Sequence, residues 1–276
     1  MAENSKIEWC DTTWNPIVGC CHKSAGCDSC YAARMAFRLG HGGLMKPGPT
    51  RDAYAKVIDP QTRQWNGEIA FIRKNLQTPL RWRKPRRIFV GSMGDLGHPG
   101  VKTQDLDRLL EVINDTPQHT YMFLTKRPIQ LEKNLYEVSR SNPFRILGDG
   151  DYLPNLWFGV TAENQRYADE RIPELLKIPA AIHFVSCEPL LSHVDLTPWI
   201  DQLDWVIAGG ESGPNARAAD PNWSFRSLRN QCVWTDTPFF FKQWGGVNKR
   251  RTGRLLDGRE HNQFPKEERE RNERKR

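Results

Sequence analysis

No apolar run in the 276 residues is long enough to cross a membrane: the longest, such as FFF at 239–241, fall far below the ~20 residues a spanning helix needs. The opening stretch MAENSKIEWCDTTW has no apolar stretch of leader type, so a secretory signal is not expected. Cysteines are few and unevenly placed, at 10, 20, 21, 27, 30, 187 and 232. An odd, clustered set speaks against a disulfide framework. The expectation is a cytoplasmic protein in a reducing compartment, where clustered thiols bind metal or do chemistry. A second, well-separated cysteine pair of the kind that closes a structural zinc site is missing too.

Acidic residues are absent from 73–87, RKNLQTPLRWRKPRR, where seven residues are basic. The tail KEERERNERKR from Lys266 adds six basic and four acidic residues, within a net charge of +7 and a pI near 9.1. A basic field attracts phosphate polyanions in general and specifies none of them. Residues 266–276 read as a solvated charged tail. In the earlier run Arg81, Arg83, Lys84, Arg86 and Arg87 are candidate nucleic-acid contacts, and Trp82 either stacks on a base or packs.

Short apolar runs recur along the chain, each followed by a polar cluster. They are RIFVGSMGD from Arg87, TYMFLTKRP from Thr120, LWFGVTAEN from Leu156, IHFVSCEP from Ile182, WVIAGGESG from Trp205 and PFFFKQWGG from Pro238. Runs of four to six residues rich in Ile, Val, Phe and Trp suit buried strands of a parallel sheet. Helical spacing lies between them, as in QDLDRLLEVI at 104–113, with further helices expected within 163–178 and 224–234. Alternating strands and helices make the fold class α/β, and with a strand near Trp14–Val18 they predict a single (β/α) barrel, full or partial. The barrel is expected over residues 1–265, with a cysteine loop at 20–30 after the first strand. A Gly- and Pro-rich lid-like insertion is expected at 40–68 and a second excursion at 139–155.

Every polar cluster follows the C-terminal end of its strand, and in a barrel those ends share the rim where active sites are built. Ser92, Asp95, Lys126, Arg127, Thr161, Glu163, Asn164, Ser186, Glu188, Glu211, Ser212, Lys242 and Gln243 are therefore expected at one mouth with the cysteine loop. Ordinary turn chemistry explains Gly, Ser, Asn and Asp at strand ends. It does not call for carboxylates and lysines at most of them.

The cysteines admit three readings. Cys20, Cys27 and Cys30, separated by six and then two residues, can bind three irons of a [4Fe–4S] cluster and leave the fourth open. A closed zinc site would instead recruit Cys21 or His22 as a fourth ligand, although adjacent cysteines make an awkward pair on one tetrahedral ion. The third reading is redox-active or incidental thiols. Cys187 and Cys232 read as buried core residues.

The motifs TWNPIVGC, SAGCDSCYA, FVGSMGDL, FLTKRP, WFGVTAEN, FVSCEPLL, VIAGGESG and PFFFKQWG, in this order, resemble the three-Cys-motif family of phage and prophage proteins. That family has no known function and a distant similarity to radical S-adenosylmethionine (SAM) enzymes. The resemblance covers residue 6 to about 265. It implies a partial (β/α) barrel of radical SAM type with a three-cysteine loop after its first strand. An open iron would chelate SAM, an electron donor would be needed, and reductive cleavage would give a 5′-deoxyadenosyl radical. The chain departs from the usual pattern in a first cysteine gap of six rather than three, and in Ser29 where an aromatic is usual.

Under that resemblance Ser92 and Asp95, at the end of the second strand, are expected to accept from the SAM ammonium, with Asn164 and Glu188 as further SAM contacts. Lys126, Arg127, Glu211 and Lys242 would meet an anionic substrate, a nucleic acid or nucleotide. The rival expectation is a nucleic-acid-binding phage protein whose iron–sulfur or zinc site is structural. No membrane association is expected.

Overall fold

The computed structural model describes residues 5–141, 153–220 and 224–265. The charged tail at 266–276 and most of the excursion at 139–155 lie outside them. The chain divides into two compact units, Met1–Trp157 with Ile178–Ala181, and Phe158–Lys177 with Ile182–Arg276.

The first unit opens with β1 (Thr12–Trp14) and β2 (Ile17–Val18), followed by α1 (Tyr31–Gly40) and α2 (Pro49–Lys56). Then come β3 (Ala70–Phe71), α3 (Arg73–Leu76), β4 (Arg87–Val90), α4 (Thr103–Asn114), β5 (Thr120–Thr125) and α5 (Pro128–Ser141). β1 pairs with β4 and β4 with β5, all parallel, with Thr12 opposite Ile88 and Arg87 opposite Thr120. The run Ile88–Val90 and the run Tyr121–Phe123 are buried without alternation, as a sheet covered on both faces requires. α4 buries Leu106, Leu109, Leu110 and Ile113, the stripe its 3.6-residue spacing predicts.

Residues 40–68 differ from the expected loop or lid. Pro49 starts α2 at a position where its missing N–H costs nothing. Tyr54, Val57 and Ile58 then bury against Ala32, Ala33 and Ala36 of α1, together with Val18, Ile72 and Met93. Composition hid this element because its few apolar residues are spread through Gly- and Pro-rich sequence. Within 49–58 the segment is thus a helix packed on α1 and not an open loop.

The second unit holds most of β6 (Leu156–Thr161), then α6 (Gln165–Leu175), β7 (His183–Cys187), β8 (Trp205–Gly209), α7 (Ser224–Trp234), β9 (Phe239–Gln243) and α8 (Lys249–Thr252). β6, β7, β8 and β9 pair in that order, all parallel, with an irregularity at Ala208/Gly209. Trp205, Phe239, Phe240 and Phe241 are fully buried; Trp205 and Phe241 stack edge-on or tilted with Phe240, Phe264, Phe225 and Trp244, and Phe239 packs edge-on against His261.

The fold is α/β, with seven parallel strands ordered β1, β4, β5, β6, β7, β8, β9, which is chain order apart from the separate β2–β3 ribbon. Among the described residues that order runs from β1 at one edge to β9 at the other.

Candidate metal and cofactor site at the cysteine loop

Gly19 turns the chain from β2 into the cysteine loop. Its φ of +110° disfavours any residue with a Cβ, and a Cβ there would lie 2.2 Å from the Glu68 carbonyl oxygen. The Gly19 N–H donates to the Met93 carbonyl at 3.1 Å, and the Gly19 carbonyl accepts from Asp95 N–H at 3.3 Å. This laces the loop to the GSMGD segment after β4. Gly19→Ala is therefore expected to cost more than the ~1–2 kcal/mol of a left-handed alanine, because backbone must also move. Urea denaturation checks the stability loss, and iron uptake checks whether the loop keeps its place.

Beyond Gly19 the loop is short and internally bonded. Cys27 closes a one-turn 3₁₀ helix, Ala25–Cys27, its N–H donating to the Ser24 carbonyl at 2.8 Å. Cys30 caps α1, its N–H donating to the Cys27 carbonyl at 3.2 Å. Tyr31 Oη donates to the Ser92 carbonyl at 3.1 Å, a second tie to the end of β4. Cys20, Cys21, Cys27 and Cys30 are all partly exposed and carry no disulfide.

Arg127, just past β5, organises the polar groups around this loop. Its Nη1 donates to Asp95 Oδ2 at 2.6 Å, with both side chains about nine-tenths buried. Its Nη2 donates to the Cys21 carbonyl at 3.0 Å and to Cys21 Sγ at 3.1 Å, and Nη1 also approaches Cys20 Sγ at 3.8 Å. His98 accepts from Gly100 N–H at Nδ1 (3.1 Å), which leaves the proton on Nε2 to donate to Cys21 Sγ at 3.2 Å. Lys126 Nζ donates to Ser24 Oγ at 2.9 Å, and Ser24 Oγ lies 3.9 Å from Cys27 Sγ.

Burial dominates the electrostatics. It pushes the Cys20 thiol up to about 12, Asp95 pushes the same way, Arg127 opposes, and the charges of Cys27 and Cys30 add to the rise. Cys20 keeps its proton until positive charge is brought to it, which is what a bound metal does. Burial also lowers the His98 value, with Arg127 helping and Asp95 opposing. For Arg127 burial is the largest influence and works against the charge, but Asp95, Cys20 and Cys21 together outweigh it and the guanidinium sits above its ordinary value.

Among the described residues no three His, Cys, Asp or Glu side chains form a ready ligand set for one metal ion. A cluster does not ask for that, since each of its thiolates takes a different iron. The two residues considered for closing a zinc site are engaged elsewhere. Cys21 Sγ meets Arg127 and His98, and His22 Nε2 pairs with Asp28 Oδ1 at 2.7 Å on an exposed surface. That leaves Cys20, Cys27 and Cys30 as the candidate donors for a bound group.

The residues expected to hold SAM are occupied within their own neighbourhoods. Asp95 accepts from Gly97 N–H (2.9 Å), Thr125 Oγ1 (2.5 Å) and Arg127, so an ammonium would have to displace an existing donor. Ser92 Oγ and the Asn15 side chain exchange hydrogen bonds at 3.1 and 3.2 Å. Lys126 and Arg127, expected to grip a substrate, turn onto the cysteine loop instead. Sequence reasoning did not select His98, Ser24, Asn15 or Thr125. The only signal for His98 was its place just past the end of β4 in GDLGHPG.

The second unit brings together a different group. Glu188 follows β7, pairs with Lys242 Nζ at 3.1 Å and accepts from Ser186 Oγ at 3.1 Å. A Cβ on Gly209 would meet Glu188 Oε1 at 2.6 Å, so that strand end must be glycine for the carboxylate to lie across it. Glu211 is clamped by Arg217 through Nη2 at 2.6 Å and Nε at 3.0 Å. Glu163 pairs with Arg171 at 2.9 Å, both wholly buried, and Asn164 caps α6 by accepting from Tyr167 N–H at 3.2 Å. Asp95, Glu163, Glu188 and Glu211, the four strand-end carboxylates, thus each hold a cation of this chain.

The basic run divides by exposure. Arg81, Arg83 and Lys84 are exposed, whereas Arg87 pairs with Asp11 at 2.9 Å. Arg86 lies over the Trp82 ring at 5.0 Å, and Trp82 packs edge-on against His119, which favours packing over base stacking for that ring. Cys10, Cys187 and Cys232 are buried, and burial raises both of the last two thiols, Cys232 to about 12.

No curated protein and no solved structure matches the chain. A family model described as "Protein of unknown function (DUF5131)" matches residues 4–265, the span that carries both the cysteine loop and every strand named above, and the chain belongs to that family.

Proposed function

We propose that the chain is a radical SAM-type iron–sulfur enzyme in which Cys20, Cys27 and Cys30 hold a [4Fe–4S] cluster with one open iron. The observation that carries this reading is the sorting of the thiols. Cys21 Sγ is taken by Arg127 and His98 at 3.1 and 3.2 Å, whereas Arg127 reaches Cys20 Sγ only at 3.8 Å and Cys27 Sγ meets the Ser24 hydroxyl at 3.9 Å. When bound, the cluster would supply the electron, received from a separate donor, that cleaves SAM.

The chain's own residues do the holding. Gly19 and the end of β4 fix the loop; α1 starts at Cys30 and fixes the third sulfur. Asp95 holds the Arg127 guanidinium in place, with its N–H groups beside the Cys20 and Cys21 sulfurs. In the second unit Lys242, supported by Glu188 and Ser186, is the partly buried cation assigned to an anionic substrate, a nucleic acid or nucleotide. Anaerobic reconstitution with iron and sulfide should give a brown protein with about four irons per chain. Dithionite and SAM should then release 5′-deoxyadenosine. Stoichiometric zinc without absorbance near 400 nm in an anaerobic preparation overturns the reading.

One observation favours a nucleic-acid component. Arg81, Arg83 and Lys84 stand exposed in an acid-free run that feeds the N-terminal end of β4. Binding through them should be weak and poorly sequence-specific. Replacing the three with glutamine should reduce the log–log salt slope by about one unit for each phosphate no longer neutralised. Titrating labelled DNA and RNA, single- and double-stranded, at two salt concentrations checks this. An unchanged slope would leave a small anionic molecule as the substrate.

A further inference from the structure

We propose that Arg127, clamped by Asp95, is a positioning residue that holds Cys21 out of the ligand set and sets the reduction potential of the group bound by Cys20, Cys27 and Cys30. The inference rests on the cluster reading above. It assigns Arg127 and Asp95 to the sulfur environment instead of to substrate and SAM.

The geometry is specific to a guanidinium. Nη1 faces both Asp95 Oδ2 at 2.6 Å and Cys20 Sγ at 3.8 Å, while Nη2 faces the carbonyl and sulfur of Cys21 at 3.0 and 3.1 Å. One planar fork therefore spans a carboxylate, a backbone carbonyl and two neighbouring sulfurs, which an ammonium cannot do. Asp95 is itself fixed by Thr125 Oγ1 and by Gly97 N–H. A Cβ on Gly97 would come within 2.6 Å of Thr125 Oγ1 and of the Arg127 carbonyl, so the close approach of these loops is built into the sequence.

Two consequences follow. His98 Nε2–H and Arg127 Nη2–H both converge on Cys21 Sγ at 3.2 and 3.1 Å, while Cys20 Sγ has the longer contacts to the Cys21 carbonyl at 3.4 Å and Arg127 Nη1 at 3.8 Å. Of two adjacent cysteines the second is thus the more tightly held, and the first is the one assigned to iron. A positive charge with an N–H aimed at the Cys20 sulfur also stabilises the more negative, reduced form of a thiolate-ligated cluster. Hydrogen bonds to sulfur and local net charge are the established levers on such potentials.

The test is a dithionite potentiometric titration of the reconstituted holoprotein, followed by electron paramagnetic resonance, for wild type, Arg127→Gln and Arg127→Lys. Arg127→Gln should lower the midpoint to a more negative potential at unchanged iron content. Arg127→Lys, which keeps charge without the fork, should fall between the two. A wild-type midpoint in Arg127→Gln overturns this inference and leaves the cluster reading standing. If Arg127→Gln takes up no iron, Asp95→Asn is measured instead; it removes the negative charge beside the guanidinium and should raise the midpoint, and a wild-type midpoint there overturns the inference equally. A wild-type protein that takes up no cluster overturns the cluster reading and this inference with it.

Discussion

Alanine at Cys20, Cys27 or Cys30 is expected to abolish iron binding after anaerobic reconstitution, whereas Cys21→Ala keeps wild-type iron content. The contrast is large because a cluster held by only two thiolates is labile. It is informative because Cys20 and Cys21 are neighbours of the same chemistry and similar exposure. Spacing alone does not separate them. Their surroundings do: Cys21 Sγ receives N–H groups from Arg127 and His98 at 3.1 and 3.2 Å. Cys20 Sγ donates to the Cys21 carbonyl at 3.4 Å and meets Arg127 Nη1 only at 3.8 Å. Iron and sulfide analysis with the visible spectrum of each variant decides the matter. If Cys21→Ala loses iron as completely as Cys20→Ala, four thiols are required and a closed site replaces the open one. Cys10→Ala, Cys187→Ala and Cys232→Ala serve as controls, since all three thiols are buried away from the loop's hydrogen-bond network.

The sheet was legible because its strands are continuous apolar runs, and such runs occur where both faces are covered. TYMFLT and LWFGVT became β5 and β6 with the bounds their sequences suggest. Strand-end polarity was legible for the same reason, as each run stops at a residue that cannot be buried unpaired. Pairing was not legible. A carboxylate after a strand looks the same whether it awaits a cofactor or already holds an arginine, and Arg217 and Arg171 lie six and eight residues beyond Glu211 and Glu163. Asp95 and Arg127 are separated by 32 residues and two elements, so only the register of β4 against β5 brings them together. α2 was missed because its burial depends on α1, a tertiary contact with no periodic trace of its own.

Glu163→Ala is expected to destabilise the protein by about 3–5 kcal/mol, the usual cost of stranding one member of a buried ion pair. Glu163 and Arg171 are both wholly inaccessible, 2.9 Å apart, and Arg171 Nη1 also donates to the Thr161 carbonyl at 2.7 Å. Arg171 Nε and Nη2 have no hydrogen-bond partner, and the guanidinium lies over the Tyr167 ring at 4.0 Å. Without Glu163 the cation would keep one carbonyl and one aromatic face, too little to offset its desolvation. Glu163→Gln keeps an oxygen acceptor and should cost less. The double change Glu163→Leu with Arg171→Met should recover much of the loss, because it removes both charges and fills the space with apolar atoms. Urea denaturation of the four proteins measures this directly. A single-variant loss below about 1 kcal/mol, the range of exposed pairs, would mean that water reaches the pair. The full loss with recovery in the double variant would make Glu163 a structural anchor for the turn from β6 into α6, removing it from the set of carboxylates open to a ligand.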